Sequence, residues 1–286
     1  MQGKIGSLSF VTKELEQNNL NAKKKFGQNF LTDQNILTSI VDVACATKED
    51  AIIEIGPGLG ALTEHLCNVA GYVLAYEIDK DLIPLLEKNL SRFNNFEIVN
   101  EDILKVDINK EIDEKLLGYK NIYVVSNLPY YITTPIILSL LSQTNKIKRY
   151  VMMMQLEVAD RICGKPSTKD YNALSLAVGY RALATKAFKV PRTVFVPAPN
   201  VDSAVIKLDV YNEPPVKAID EDVFFKLIRE CFTQRRKTLM NNLSLFYDKK
   251  LINEMLSSLN INPGIRAEAL ILEDFVKMSD YIAQNK

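Results

Sequence analysis

The chain has 286 residues, 47% of them apolar and 24% charged, a composition that suits a globular protein with one large domain and a smaller second one. Lys plus Arg and Asp plus Glu both total 35, so no overall charge advertises nucleic acid or an acidic membrane. A single histidine, His65, sets aside His-centred metal sites, Ser-His-Asp triads and His proton shuttles, and the four cysteines (45, 67, 163 and 231) contain no C-x-x-C pair and point to buried thiols in a reducing compartment.

In chain order, residues 36–46 carry apolar positions at helical spacing. Strands are predicted at 51–55, 72–78, 96–99, 122–126 and 150–154, with helices at 61–70 and 82–90 and another that starts at Thr134-Pro135 and runs to about Leu141. Short strands alternating with helices of about ten residues indicate βαβ units on a parallel sheet. Residues 194–196 and 203–208, on either side of PAPNVD, read as a hairpin closing that sheet. NEPP at 212–215 reads as a linker, and from Asp220 onward the pattern is helical, with FTQRRKTLMNNL (232–243) inside the first long helix. The expected division is an α/β domain at 1–210 and a small all-helical domain at 211–286. No run of about 18 apolar residues and no leader-like start is present, so a cytoplasmic protein without a membrane partner is expected.

The zero net charge conceals opposed segments. Residues 145–192 hold ten basic residues against three acids, a net +7, and residues 229–250 hold six against two, a net +4. Lys23, Lys24 and Lys25 add three more, whereas residues 96–117 carry a net −4. Basic segments of this kind supply phosphate contacts.

The chemistry concentrates after the strands. Residues 54–60 read EIGPGLG, and glycines at 56 and 58 allow a sharp turn and close backbone approach to a ligand. Read as G-x-G-x-x-A, the same residues match a dinucleotide fingerprint, so the glycines alone leave nicotinamide and adenosine cofactors both open. Glu77, about twenty residues on, is placed to accept hydrogen bonds from two ribose hydroxyls, and Asp102 is either an adenine contact or a helix N-cap. The next strand ends in Ser126-Asn127-Leu128-Pro129-Tyr130. An exocyclic amine of adenine is a weak nucleophile, and acceptors aimed at its N–H bonds draw it toward tetrahedral geometry as a methyl group arrives. Asn127 Oδ1 and the Leu128 carbonyl supply those acceptors, Pro129 fixes the turn, and Tyr130 stacks on a flipped-out base. His65 reads as a surface or packing residue, Met152–Met154 as a buried strand, and the cysteines as core.

With KKKFGQNFL (23–31), EIGPGLGALT (54–63), YEID (76–79), NEDIL (100–104), NLPYYITTPI (127–136), VFVPAPNVDSAV (194–205) and FTQRRKTLMNNL (232–243), the sequence resembles the small-subunit ribosomal RNA adenine dimethyltransferases along nearly its whole length. The resemblance implies a Rossmann-like S-adenosylmethionine-dependent sheet, no metal, a monomer, and dimethylation at N6 of two adjacent adenines near the 3′ end of small-subunit rRNA in immature 30S particles. It implies cofactor contacts from Asn29 and Leu31 together with Gly56, Gly58, Glu77, Asp102 and Asn127. It also implies that Phe195 sandwiches the target base opposite Tyr130, and that Lys23–Lys25 and Arg235, Arg236 and Lys237 grip rRNA. Rival readings are a large-subunit rRNA methyltransferase, a non-catalytic assembly factor and a nicotinamide dehydrogenase.

Overall fold

The computed structural model describes residues 5–18 and 28–285, which form two compact units: one running to Ala159 and taking in 185–210, the other comprising 160–184 and 211 onward. The division does not follow the expected linear boundary at 210/211, because the excursion 160–184 belongs with the C-terminal helices.

The first unit begins with α1 (Leu8–Gln17), β1 (Phe30–Leu31), α2 (Gln34–Ala44), β2 (Ala51–Ile55), α3 (Ala61–Val69), β3 (Tyr72–Tyr76), α4 (Ile83–Leu90) and β4 (Phe96–Val99). It continues through the short α5 (Ile108–Glu111), β5 (Ile122–Asn127), α6 (Thr133–Gln143), β6 (Ile147–Gln155) and α7 (Leu156–Ile162), the last crossing into the second unit. A central sheet of seven strands has the order β4-β3-β2-β5-β6-β9-β7, where β7 is Ala182–Val190 and β9 is Ser203–Val210. The strands from β4 to β6 pair in parallel and β9 pairs antiparallel to β6. β2 is buried at every position, including Glu54, the one polar residue in an otherwise apolar strand.

The chain winds outward through β2, β3 and β4, then returns to the other side of β2 as β5. This reversal creates a topological switch point at the carboxyl ends of β2 and β5, where open α/β sheets bind ligands. α2 packs nearby through Leu37, Ile40, Val41 and Ala44, at the i, i+3, i+4, i+7 spacing of one helical face. Asp33 starts this helix by accepting from the N–H groups of Asn35 and Ile36.

The predicted hairpin at 194–208 does not form. The short strand β8 (Phe195–Val196) pairs instead with β1 in a separate two-stranded sheet, and only β9 joins the main one. Among the cysteines, Cys67 and Cys231 are buried, but Cys45 is exposed in a left-handed conformation ending α2 and Cys163 is half-buried, so the expectation of four core thiols is corrected. Met152–Met154 are fully buried in β6, and His65 pairs through Nε2 with Gln34 Oε1 at 3.2 Å.

In the second unit, α8 (Ala173–Gly179), α9 (Glu221–Cys231), α10 (Leu239–Leu243), α11 (Lys249–Ser258) and α12 (Leu272–Gln284) surround an aromatic core in which Tyr180 and Phe224 lie 4.7 Å apart. The long helix expected through 232–243 is broken: α9 ends at Cys231 and α10 begins at Leu239. Buried Asn242 holds the intervening turn. Its Nδ2 donates to the Cys231 and Gln234 carbonyls, and its Oδ1 accepts from the Gln234 N–H. Thr238 caps the next helix.

Candidate active site

The glycine turn joins β2 to α3 with φ of +69°, +61° and +90° at Gly56, Gly58 and Gly60, a backbone that other residues adopt only with strain. A Cβ at Gly58 would lie 3.3 Å from the Phe30 ring, and one at Gly60 would lie 2.9 Å from Leu86 Cδ1. The turn opens into a cavity at the switch point. Asn29, Leu31, Gly56, Gly58, Glu77, Asp102 and Asn127 all line it, as do Leu128, Pro129 and Tyr130, so residues spread over a hundred positions converge on one site.

Glu77 directly follows β3 and is only 4% exposed. Its Oε1 accepts the Asp79 N–H at 2.8 Å and its Oε2 accepts the Gly58 N–H at 3.2 Å, which fixes the carboxylate while leaving each oxygen a further lone pair for a diol. Burial raises its pKa above the ordinary carboxylate value, and these backbone donors pull the other way. Of the two options left open for Asp102, the structure shows the N-cap directly and also places the residue on the cavity wall. Its Oδ1 caps the 3₁₀ turn 103–105 by accepting from Leu104 N–H at 3.1 Å.

Asn127 closes β5. Its Nδ2 donates to the Asn29 carbonyl at 3.4 Å, which leaves Oδ1 as the acceptor on that side chain. The segment 28–32 straps several parts of the site together. Gln28 Nε2 donates to Asp79 Oδ2 at 2.9 Å, Leu31 pairs with Phe195 and Phe30 with Val196, and Thr32 N–H donates to Val194 O at 2.8 Å. Ser126 Oγ donates to the Ile55 carbonyl at 2.5 Å and locks the ends of β5 and β2 together.

Phe195 departs from expectation. It is 2% exposed, packs in the core with Leu31, Val190 and Val205, and does not line the cavity. As placed, its ring presents no open face to a base, because pairing of β8 with β1 turns it inward. Lys23, Lys24 and Lys25 lie outside the described residues. Arg235, Arg236 and Lys237 are exposed on the turn held by Asn242, and Arg235 is engaged by Glu268 at 3.6 Å and by the Lys169 carbonyl.

Three cavity residues carry no sequence signal of their own. Glu54 reads as a buried strand position, Gln28 finds its partner 51 residues away, and Tyr131, 53% exposed, looks like a repeat of Tyr130.

Electrostatics narrows the cofactor. Glu77, Glu101 and Asp102 line the cavity, beside a Glu54 that burial holds in its neutral form, and none of its described lining residues is Lys or Arg. The pyrophosphate of a dinucleotide would meet carboxylates without a compensating cation, whereas a sulfonium cofactor brings positive charge to them. The acid set for a ribose and an adenine amine, and a turn free of side chains, fit S-adenosylmethionine.

A parallel sheet with a reversed strand order, an acid-lined adenosine crevice at its switch point and an Asn-Leu-Pro-Tyr turn beside it together define a Rossmann-like methyltransferase acting on an amine. The profile of the family described as ribosomal RNA adenine dimethylase matches residues 19–284, and the chain belongs to that family. The ribosomal RNA small subunit methyltransferase A of Lactococcus lactis is 51% identical over 269 residues, covering 93% of this chain and 92% of the relative. The protein of that name from Streptococcus thermophilus is 47% identical over 286 residues, covering 98% and 99%. Among solved structures, a dimethyladenosine transferase from Plasmodium falciparum superposes with a TM-score of 0.73 at 27% identity, covering 87% of this chain and 95% of that one. The 23S rRNA methyltransferase ErmE gives 0.68 at 27% identity, covering 90% and 100%. Family membership removes the dehydrogenase reading. No described helix is long and apolar enough to cross a membrane, and no described group of three or more His, Cys, Asp or Glu side chains is placed to hold a metal.

Proposed function

We propose that this chain dimethylates N6 of two adjacent adenines near the 3′ end of small-subunit rRNA, on immature 30S particles, as a cytoplasmic monomer. The observation that carries the reading is the amide of Asn127: its nitrogen is held by the Asn29 carbonyl, so its oxygen is left to accept from an amine beside the Leu128 carbonyl. Several relatives at 46–51% identity named for small-subunit rRNA support that substrate over the large subunit, which the fold alone does not separate.

S-adenosylmethionine, when bound, supplies a methyl group on a positively charged sulfur. Glu77 and Asp102 hold its ribose and adenine, Gly56 and Gly58 give the backbone room to approach it, and the strap at Asn29–Leu31 covers it. Asn127 Oδ1 and the Leu128 carbonyl accept from the two N–H bonds of the adenine amine, which localises its lone pair for attack. Tyr130 stacks on the base. Its phenol is kept neutral, because burial pushes its pKa up against the opposing Ser203 hydrogen bond. A methylated amine sheds its proton readily to water, so no general base is required. The second unit, with Arg235, Arg236 and Lys237, contacts rRNA phosphates.

Asn127→Ala tests the assignment. Methyl transfer is lost while S-adenosylhomocysteine binds with nearly unchanged affinity. A large loss of that affinity instead makes Asn127 a cofactor anchor and not an amine acceptor.

A further inference from the structure

We infer that Ser203 is a positioning residue for methyl transfer, acting through Tyr130 as the fixed end of a strut that sets the plane of the base-stacking ring. The inference rests on the stacking role proposed above for Tyr130.

The geometry is specific. Tyr130 Oη and Ser203 Oγ lie 2.6 Å apart, between residues 73 positions apart in sequence. Tyr130 begins the 3₁₀ turn Tyr130–Ile132 that follows β5, and Ser203 is the first residue of β9. In the sheet, β6 lies between β5 and β9, so the hydrogen bond ties the turn that follows one strand to the start of another that is not its neighbour. A tyrosine hydroxyl bonded at 2.6 Å to a fixed partner holds its ring in a narrow range of orientations.

The far end of the strut is rigid. Ser203 is completely buried, pairs with Gln155 of β6, and follows Asp202, whose carbonyl accepts the Leu156 N–H at 3.0 Å and whose Oδ1 accepts the Arg192 N–H at 3.0 Å. The near end would otherwise have freedom to turn. It sits on a short 3₁₀ turn at the cavity wall, and neighbouring Tyr131, on the same turn, is half-exposed. Ser203 does not itself line the cavity, so any effect it has on methyl transfer passes through the ring. A ring fixed before the base arrives needs no ordering at the moment of reaction, which is how a group remote from the reacting nitrogen raises turnover.

A double-mutant cycle tests this on the full-length protein, with small subunits lacking dimethyladenine as substrate. Tyr130→Phe removes the hydroxyl from one end and Ser203→Ala from the other. Each single variant lowers kcat about tenfold, the size of one neutral hydrogen bond, with little change in KM for the subunits or in S-adenosylhomocysteine affinity. The double variant is no slower than either single one, and Ser203→Thr, which keeps a hydroxyl, recovers most of the rate. Independent losses that multiply in the double variant overturn the strut, as does full activity in Tyr130→Phe. If Ser203→Ala fails to fold, Tyr130→Phe and Ser203→Thr still decide the matter. Tyr130→Ala separates the strut from the reading beneath it. Activity in that variant equal to wild type removes the stacking role, whereas a loss far larger than that of Tyr130→Phe keeps it and leaves the strut to the cycle.

Discussion

Glu54 holds a proton that the unfolded chain gives up, and this links folding to pH in a direction opposite to that of most carboxylates. The residue is 1% exposed at the end of β2, and its Oε2 has no hydrogen-bond partner among the described residues. Burial pushes its pKa from 4.5 up to about 8. The Thr63 hydroxyl beside it offsets part of this, short of a well-formed hydrogen bond, and the nearby Glu77 carboxylate adds to it. Between those two pH values the folded state binds the proton and the unfolded state does not, so stability falls as pH rises. The contribution is complete below the unfolded value of 4.5 and is gone above the folded value of about 8. At ~1.4 kcal/mol per pH unit across roughly 3.5 pH units, the ceiling is about 5 kcal/mol. Glu54→Gln keeps the shape and has no proton to lose. Urea unfolding at intervals from about pH 5 to about pH 9 then shows the variant gaining on the wild type by up to ~1.4 kcal/mol per pH unit, with the gain levelling off near the top of the range. A stability difference that stays constant over the whole range refutes the buried, protonated acid.

Two further outcomes follow from the site. Glu77→Ala weakens S-adenosylhomocysteine binding by tenfold or more in calorimetry, because both oxygens are held by backbone donors for a diol, and unchanged affinity moves the ribose contact elsewhere. Neutralising Arg235, Arg236 and Lys237 flattens the salt dependence of subunit binding by about 0.7–0.9 per lost phosphate contact; Arg236 and Lys237 dominate because Arg235 is engaged by Glu268. An unchanged slope takes that turn off the RNA.

The parallel strands were legible because burial on both faces leaves largely apolar runs, as in Ala51–Ile55, interrupted only by Glu54, and Ile122–Val125. The glycine turn, Glu77 and Asn127 were legible because each follows such a strand at a distance that βαβ winding dictates. β7 was not, since Ala182 and Val190 are its buried ends and most positions between them are exposed, as befits a strand at the edge of its sheet. The hairpin misreading has a related cause: Phe195 and Val196 find partners at Leu31 and Phe30, a long-range pairing that local pattern does not encode. The same pairing turns Phe195 into the core. The break at 232–238 depends on the buried amide of Asn242, which looks on paper like one more polar helix residue. Contacts such as Gln28 with Asp79 and Tyr130 with Ser203 join residues 51 and 73 positions apart and exist only once the sheet has brought them together.

The central claim is that the cavity beside Asn127 methylates adenine N6 in small-subunit rRNA. Its most direct test is transfer from labelled S-adenosylmethionine to small subunits lacking the modification, followed by mass spectrometry of the rRNA nucleosides. The account predicts dimethyladenine at a pair of adjacent positions with the wild type and none with Asn127→Ala. Firm binding to the subunits with no transfer by the wild type, or transfer confined to protein-free large-subunit RNA, contradicts it.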